Sequence, residues 1–136
     1  MLLVDTNIFL AGADRRSDRH QDCAGLLRAH GGELATTVAV IAETSWLLLD
    51  RLGPASQADL LRMVTTGRLD VIELTEGDWA RCLELIERYA DLSLDLIDAS
   101  LVAVAERLGA TTIATLNRRD FTVIRPRHVE AFVLIP

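Results

Sequence analysis

Acidic and amide side chains stand at four places in this sequence where their types and spacing permit metal-assisted chemistry. Asp5 directly follows an apolar run, and Glu43 lies inside a strongly apolar helical segment. Asp98 lies in the first turn of a predicted helix, and Asn117 and Asp120 follow a predicted strand. Clusters of oxygen ligands suit Mg²⁺ or Mn²⁺, whereas zinc sites use His or Cys. Brought together, these side chains would form a site for a divalent cation.

Each acid also has a purely structural explanation, which the sequence leaves open. Asp5 can cap a helix that begins at Thr6. Glu43 can pair with an arginine, because burying an unpaired carboxylate is costly. Asp98 can interact with the helix dipole. Its neighbours on the same helical face are apolar, Leu101 among them, so we expect Asp98 to point inward.

Asn117 and Asp120 are also ordinary turn residues, which need no function to explain them. The three histidines show no metal-ligand spacing, and we expect them at the surface: His20, His30 and His128. The cation hypothesis therefore depends on the carboxylates as a set.

Short apolar runs alternate with amphipathic stretches along the whole chain. The pattern predicts strands at 2–4, 33–36, 69–74 and 112–115, a turn at 117–120, and extended pieces at 122–124 and 132–135. It predicts helices at 6–13, 20–29, 38–52, 55–65, 76–89 and 95–108. Strands alternating with helices indicate an α/β fold with a short, mostly parallel central sheet. We expect one domain over residues 1–136.

The composition excludes several classes of protein. Half of the residues are hydrophobic, which excludes a disordered chain and is enough for one buried core. All 14 basic residues are arginine. Without lysine, Schiff-base chemistry, Walker-type phosphate binding and phosphotransfer domains with a site lysine are excluded. The 20 acidic residues give a net charge of −6, which argues against nucleic-acid binding by bulk charge alone.

Nothing in the sequence predicts export or membrane insertion. The most apolar region, residues 34–49, is interrupted by polar side chains. We expect a cytoplasmic protein in which Cys23 and Cys82 are buried free thiols.

Four segments resemble, in order and at typical spacing, the motifs of PIN-domain nucleases. They are Leu3-Val4-Asp5-Thr6-Asn7, Ala42-Glu43, Leu96-Ile97-Asp98-Ala99-Ser100-Leu101-Val102-Ala103-Val104-Ala105-Glu106 and Thr115-Leu116-Asn117-Arg118-Arg119-Asp120-Phe121. No single motif is specific, but the ordered set is. As a stand-alone domain, the chain is similar to VapC-type toxins of bacterial type II toxin–antitoxin systems.

The resemblance implies a PIN-like three-layer α/β/α fold and an Mg²⁺-dependent endoribonuclease, with Mn²⁺ able to substitute. It also implies a homodimer and a cognate VapB-type antitoxin that silences RNA cleavage. The family's catalytic acids map onto Asp5, Glu43, Asp98 and Asp120, of which Asp5 and Asp98 would hold the metal. The accompanying polar residues are Thr6, Asn7, Thr115 and Asn117.

The fourth acid position departs from the family pattern. Relatives commonly carry Asp at the position of Asn117, so either Asn117 ligates through its carbonyl oxygen or Asp120 supplies the charge. The neutral Asn117 leaves open an alternative function, a non-catalytic PIN-like binding module that acts through a protein partner. The retained acids Asp5, Glu43 and Asp98 favour the enzyme.

Two groups of arginines flank the proposed site in the sequence and form a candidate RNA-binding rim. They are Arg15, Arg16 and Arg19 after the first helix, Arg118 and Arg119 beside the last motif, and Arg125 and Arg127 beyond it. A solvated surface explains any one of them, whereas the position of both groups near the acids favours RNA contact. We expect Trp46 in the core or in a dimer interface.

Overall fold

A computed structural model describes all residues, 1–136, as a five-stranded parallel sheet flanked by helices. The strands are β1 (Leu2–Val4), β2 (Leu34–Thr37), β3 (Leu69–Ile72), β4 (Thr112–Ala114) and β5 (Val133–Ile135). The helices are α1 (Thr6–Ala13), α2 (His20–Ala29), α3 (Val38–Leu52), α4 (Pro54–Thr65), α5 (Glu76–Arg88), α6 (Leu96–Leu108) and α7 (Arg118–Val123), with a 3₁₀ turn at Ala90–Leu92. This architecture confirms the predicted α/β/α fold class.

The sheet places β1 at its centre, in the order β3-β2-β1-β4-β5, with every pairing parallel. All residues of β1 and β2 are buried, as expected of parallel strands covered by helices on both faces. Leu3 pairs with Ala35 on one side and with Ile113 on the other. The residue that follows β1, Asp5, therefore lies in the middle of the carboxyl edge of the sheet, where ligands bind in open α/β folds.

Local signals fix the ends of the longer helices. Thr37 caps α3 by accepting a hydrogen bond from the backbone N–H of Val40. Gly53, with a φ of 93°, ends α3 and leads directly into α4. Asp95 caps α6, and Gly109 ends it in the left-handed conformation. These boundaries agree with the sequence-based prediction to within about two residues.

The core is built around α6, which is buried on nearly every side between Ala99 and Ala105. Leu101, Ile113 and Phe121 lie among the fully buried large side chains. Such a central helix holds its first turn, which carries Asp98, close to the carboxyl edge of the sheet.

The last motif folds differently from the prediction. We expected a turn at 117–120 and an extended piece at 122–124, but α7 spans Arg118–Val123. Phe121 is buried in the core, where it makes an edge-to-face contact with Phe132. This packing stabilises a short helix that the local polar sequence does not favour by itself.

Trp46 is not a core residue, because 64% of its surface is exposed on α3. Cys23 and Cys82 are buried and free, as predicted. The expected surface position is wrong for His128, because its Nδ1 atom is buried without a hydrogen-bond partner. None of the helices has the length and apolar character needed to cross a membrane.

Candidate active site

Asp5 lies at the centre of the candidate site, where only 3% of its surface is exposed. Its Oδ1 atom accepts a hydrogen bond from the backbone N–H of Thr6 at 2.7 Å. Its Oδ2 atom accepts from Asn7 Nδ2 at 3.0 Å and from Thr115 Oγ1 at 2.7 Å. Burial raises the pKa of Asp5, and these three hydrogen bonds oppose the increase. The carboxylate is therefore held in one orientation by β1, α1 and the end of β4.

Glu43 is brought to this site by a single contact between α1 and α3. The hydroxyl of Thr6 donates to Glu43 Oε2 at 2.8 Å, across 37 residues of sequence. The Glu43 side chain is half-buried, and its Oε1 atom makes no hydrogen bond. One oxygen of Glu43 is thus positioned by the fold while the other faces the site.

Asp98 is the most perturbed of the acids. Burial raises its pKa to about 8, and four neighbouring carboxylates add to the increase. From the largest effect to the smallest, the neighbours are Asp5, Asp95, Asp120 and Glu43. The structure thus gathers five carboxylates, including all four predicted acids, at one edge of the sheet. None of the salt bridges in the structure involves Asp98, so its negative charge has no ion-pair partner.

Asp120 differs from Asp98 because both of its oxygens are hydrogen-bonded. Asn117 Nδ2 donates to Oδ2 at 3.0 Å, and Arg119 Nε donates to Oδ1 at 3.0 Å. The Asn117 hydrogen bond, followed by that of Arg119, keeps the pKa of Asp120 below its usual value. Asn117 in this structure orients Asp120, which carries the charge at the fourth position.

The remaining polar residues tie the site together. Asn7 Oδ1 accepts from the backbone N–H of Leu116 at 2.9 Å, so that one side chain links Asp5 to the end of β4. Thr115 Oγ1 also accepts from the backbone N–H of Asn117 at 2.9 Å. The structure therefore brings the predicted residues Thr6, Asn7, Thr115 and Asn117 to the acids.

Sequence reasoning missed Asp95 as a member of the cluster. It is the N-cap of α6, where its Oδ1 atom accepts from the backbone N–H of Asp98 at 2.9 Å. Its charge also contributes to the raised pKa values of Asp5 and Asp98. In the sequence, only its position three residues before Asp98 indicated that Asp95 is close to the site. Helix capping alone was enough to explain that position.

The first arginine group is divided between several surfaces. Arg16 pairs with Asp14 at 3.3 Å, and Arg19 pairs with Asp22 at 3.2 Å. Arg15 makes no ion pair and borders a groove between α1, α2, α3 and α4.

In the second group, only Arg119 touches a site acid directly, through its bond with Asp120. Arg118 donates to the backbone carbonyls of Leu134 and Pro136. Arg125 and Arg127 lie elsewhere: the former bonds the carbonyl of Thr122, and the latter pairs with Glu84 of α5.

No three or more His, Cys, Asp and Glu side chains form a metal-binding group in the structure. Hydrogen bonds hold both oxygens of Asp5, both oxygens of Asp120 and one oxygen of Glu43, whereas the Asp98 carboxylate accepts none. The chemistry that this arrangement can perform is the placement of negative charge and of free carboxylate oxygens, from Glu43 and Asp98, beside a substrate.

A family model described as PIN domain matches residues 2–125. The chain belongs to the PIN-domain family. The matched segment contains the whole carboxylate cluster, together with the Thr6, Asn7 and Thr115 hydrogen-bond network.

Among PIN-domain relatives, Ribonuclease VapC26 of Mycobacterium tuberculosis is 26% identical over 135 residues. The match covers 99% of this chain and 100% of that protein. The two proteins are therefore similar from end to end.

Solved PIN-domain structures share the fold. Mycobacterium tuberculosis VapC20, described as a sarcin-ricin loop cleaving toxin, superposes with a TM-score of 0.76 at 21% identity, covering 83% of this chain and 87% of that one. A toxin–antitoxin complex from Klebsiella pneumoniae superposes with a TM-score of 0.68 at 22% identity, and the match covers 100% of this chain and 97% of that one. VapBC2 from Rickettsia felis, bound to a promoter DNA fragment, superposes with a TM-score of 0.68 at 18% identity, and the match covers 98% of this chain and 96% of that one.

Proposed function

We propose that this PIN-domain protein is a VapC-type, metal-dependent endoribonuclease, the toxin of a VapBC-type toxin–antitoxin system acting in the cytoplasm. The observation that carries the proposal is the cluster of five carboxylates around Asp98 at the carboxyl edge of the sheet. The similarity of the whole chain to a protein named Ribonuclease VapC26 supports RNA as the substrate.

The donor atoms of the site fit a hard divalent cation. They are carboxylate oxygens whose mutual repulsion, together with burial, raises the pKa of Asp98 to about 8. Mg²⁺ is commonly bound through one or two carboxylates and keeps several water ligands. Asp5 and Asp98 are the proposed holders of Mg²⁺, for which Mn²⁺ would substitute. When bound, the cation supplies the positive charge that lets an acidic site accept an RNA phosphate.

The side chains have different proposed roles in hydrolysis. Glu43 is the proposed base, because Thr6 fixes its Oε2 atom and its free Oε1 atom can accept a proton from the attacking water. Asp120 has a lowered pKa and two occupied oxygens, so it stays ionised and contributes charge. Cleavage would leave a 3′-hydroxyl and a 5′-phosphate.

Incubation of the purified protein with total RNA tests this function. We expect cleavage with Mg²⁺ or Mn²⁺ and none in EDTA, because the acids repel the phosphate unless a cation is bound. Gel electrophoresis of the RNA gives the readout. Equal cleavage in EDTA would refute the metal-dependent mechanism, and no cleavage under any condition would favour the non-catalytic binding module.

Substitution at the fourth acid position distinguishes its two candidates. We expect Asp120→Asn to lower the cleavage rate about 10- to 100-fold, since it removes a charge near Asp98. Asn117→Ala should cost less, because Arg119 still holds Asp120. Initial rates and Mn²⁺ affinities measured side by side provide the test. A larger loss in Asn117→Ala would assign the role to Asn117 instead.

An antitoxin partner is part of the proposal. The groove between α1, α2, α3 and α4 has a volume of about 660 Å³ and an apolar floor that includes Phe9 and Leu60. Arg15, Arg28 and Arg68 border it without ion pairs, so an amphipathic segment with acidic residues would complement it. The solved toxin–antitoxin complexes of the same fold support an antitoxin as the partner.

A homodimer is also proposed. Trp46 and Leu49 expose 64% and 43% of their surfaces one turn apart on α3. Both are large apolar side chains of the kind that protein interfaces cover. Sedimentation analysis of the purified chain measures the oligomeric state directly.

A further inference from the structure

We propose that Arg51, at the end of α3, binds a backbone phosphate of the RNA strand next to the cleaved bond. The phosphate would lie in a groove between α1 and α3 that is lined in part by Asn7, a hydrogen-bond partner of Asp5. This inference rests on the proposed ribonuclease function and deepens it, because it assigns a substrate-binding residue outside the acids.

The groove is a cavity of about 250 Å³ between α1 and α3. Asn7, which donates to Asp5 Oδ2, forms one part of its wall. Leu10 on α1 and Leu52 on α3 form apolar walls, and Arg51 also lines the groove. Asn7 is therefore the residue that the groove shares with the hydrogen-bond network of the acids, and the contact between Thr6 and Glu43 joins the same two helices at the cluster.

Arg51 is one of the few arginines in the chain whose guanidinium makes no hydrogen bond or ion pair. Most of the others pair with an acid or a backbone carbonyl, as Arg107 does with Asp78 at 2.9 Å. The acid that borders the same groove, Asp14, is already bonded to the backbone and side chain of Arg16. In a chain with a net charge of −6, an unpaired arginine in a groove that contains Asn7 of the site is a binding group for an anion.

An RNA strand fits this combination better than a protein segment does. A phosphate held at the acids has neighbouring phosphates on both sides, so the strand must continue along a surface that begins at the site. The α1–α3 groove includes Asn7 of the site in its wall, offers apolar walls to sugar or base, and carries the positive charge of Arg51. Arg51 also lies in the last turn of α3, where its positive charge interacts favourably with the helix dipole. The experiment separates this structural role from RNA binding.

The test compares Arg51→Gln with Arg88→Gln in an Asp98→Asn background that does not cleave. Arg88 is a matched control because it lies in the last turn of α5, stacks on Tyr89 and lies outside the groove. Fluorescence anisotropy with a labelled single-stranded RNA measures Kd as a function of salt. We expect Arg51→Gln to weaken binding about 5- to 10-fold and to reduce the slope of log K against log salt by about 0.7, the value for one lost phosphate contact. Arg51→Lys should retain most of the slope.

Equal affinities and slopes for Arg51→Gln and Arg88→Gln would overturn the assignment of Arg51 while leaving the ribonuclease proposal intact. Unchanged RNA binding accompanied by loss of a dimer on sedimentation would overturn it too, and would make the groove a protein interface. Absence of RNA binding by the Asp98→Asn parent, together with absence of cleavage by the unmodified protein, would refute the proposed function itself. Thermal unfolding of each variant measures its stability. If Arg51 acted only on the helix dipole, its replacement would lower the stability and leave RNA binding unchanged.

Discussion

Asp98→Asn is expected to abolish RNA cleavage and, in the same protein, to stabilise the cation-free fold. The substitution keeps the shape of the side chain and removes a proposed cation ligand, so the rate should fall at least about 100-fold. Stability should rise because the charged form of Asp98 is disfavoured by burial and by four neighbouring carboxylates. Such a loss of activity together with a gain of stability is typical of a functional group that destabilises the folded state.

Cleavage assays with Mg²⁺ and thermal unfolding in EDTA at pH 8 measure the two effects. Asp91→Asn is the matched control, since Asp91 is exposed on the neighbouring 3₁₀ turn and is not among the groups that perturb Asp98. It should change neither quantity appreciably. Full activity in Asp98→Asn would remove this residue from the site, and a large fall in stability would make its role structural.

The second large effect is a fall in the stability of the cation-free protein as the pH rises from 5 to 8. Asp98 has a pKa of about 8 in the folded state against an ordinary value of 3.8. Between these values the folded chain holds a proton that the unfolded chain releases, so raising the pH favours unfolding. The loss is complete above the folded pKa. Burial raises the pKa of Asp5 as well, which acts in the same direction.

Thermal unfolding in EDTA across this pH range tests the expectation. The midpoint should fall by about 3 °C or more towards pH 8, and Asp98→Asn should show a shallower decrease. Added Mg²⁺ should restore the midpoint most strongly at pH 8, because a bound cation favours the ionised carboxylates. A midpoint that is independent of pH in EDTA, or identical profiles for both proteins, would contradict the raised pKa of Asp98.

The sequence was sufficient to predict the positions of the acids because each one is tied to a local signal. Asp5 follows a buried strand, and Asp98 opens a helix whose inward face is apolar. Strands alternating with helices were enough to predict a parallel sheet, which brings strand ends to one edge. The motif order then connected Glu43 to the same site, although no local feature determines that contact.

Features that depend on contacts between distant segments could not be predicted. The α7 helix is stabilised by burial of Phe121 against Phe132, and the partner of Asn117 became evident only once that helix had formed. The role of Asp95 as a helix cap explained its presence locally, so the sequence did not predict that its negative charge also acts on the site. Arg51 lies near the end of a helix in the sequence, and only the packing of α1 on α3 places it in the same groove as Asn7.

The central position of β1 has a consequence for when activity can arise during synthesis. Asp5 is translated well before Thr115, which holds its carboxylate and comes 110 residues later in the chain. β1 also requires β4 as its neighbour on one side of the sheet. A nascent chain that ends before Thr112 carries Asp5, Glu43 and Asp98 but no assembled cluster, since the long loop between β1 and β4 must close first. The ribosome therefore has to pass Thr115 before the proposed RNA-cleaving site can assemble.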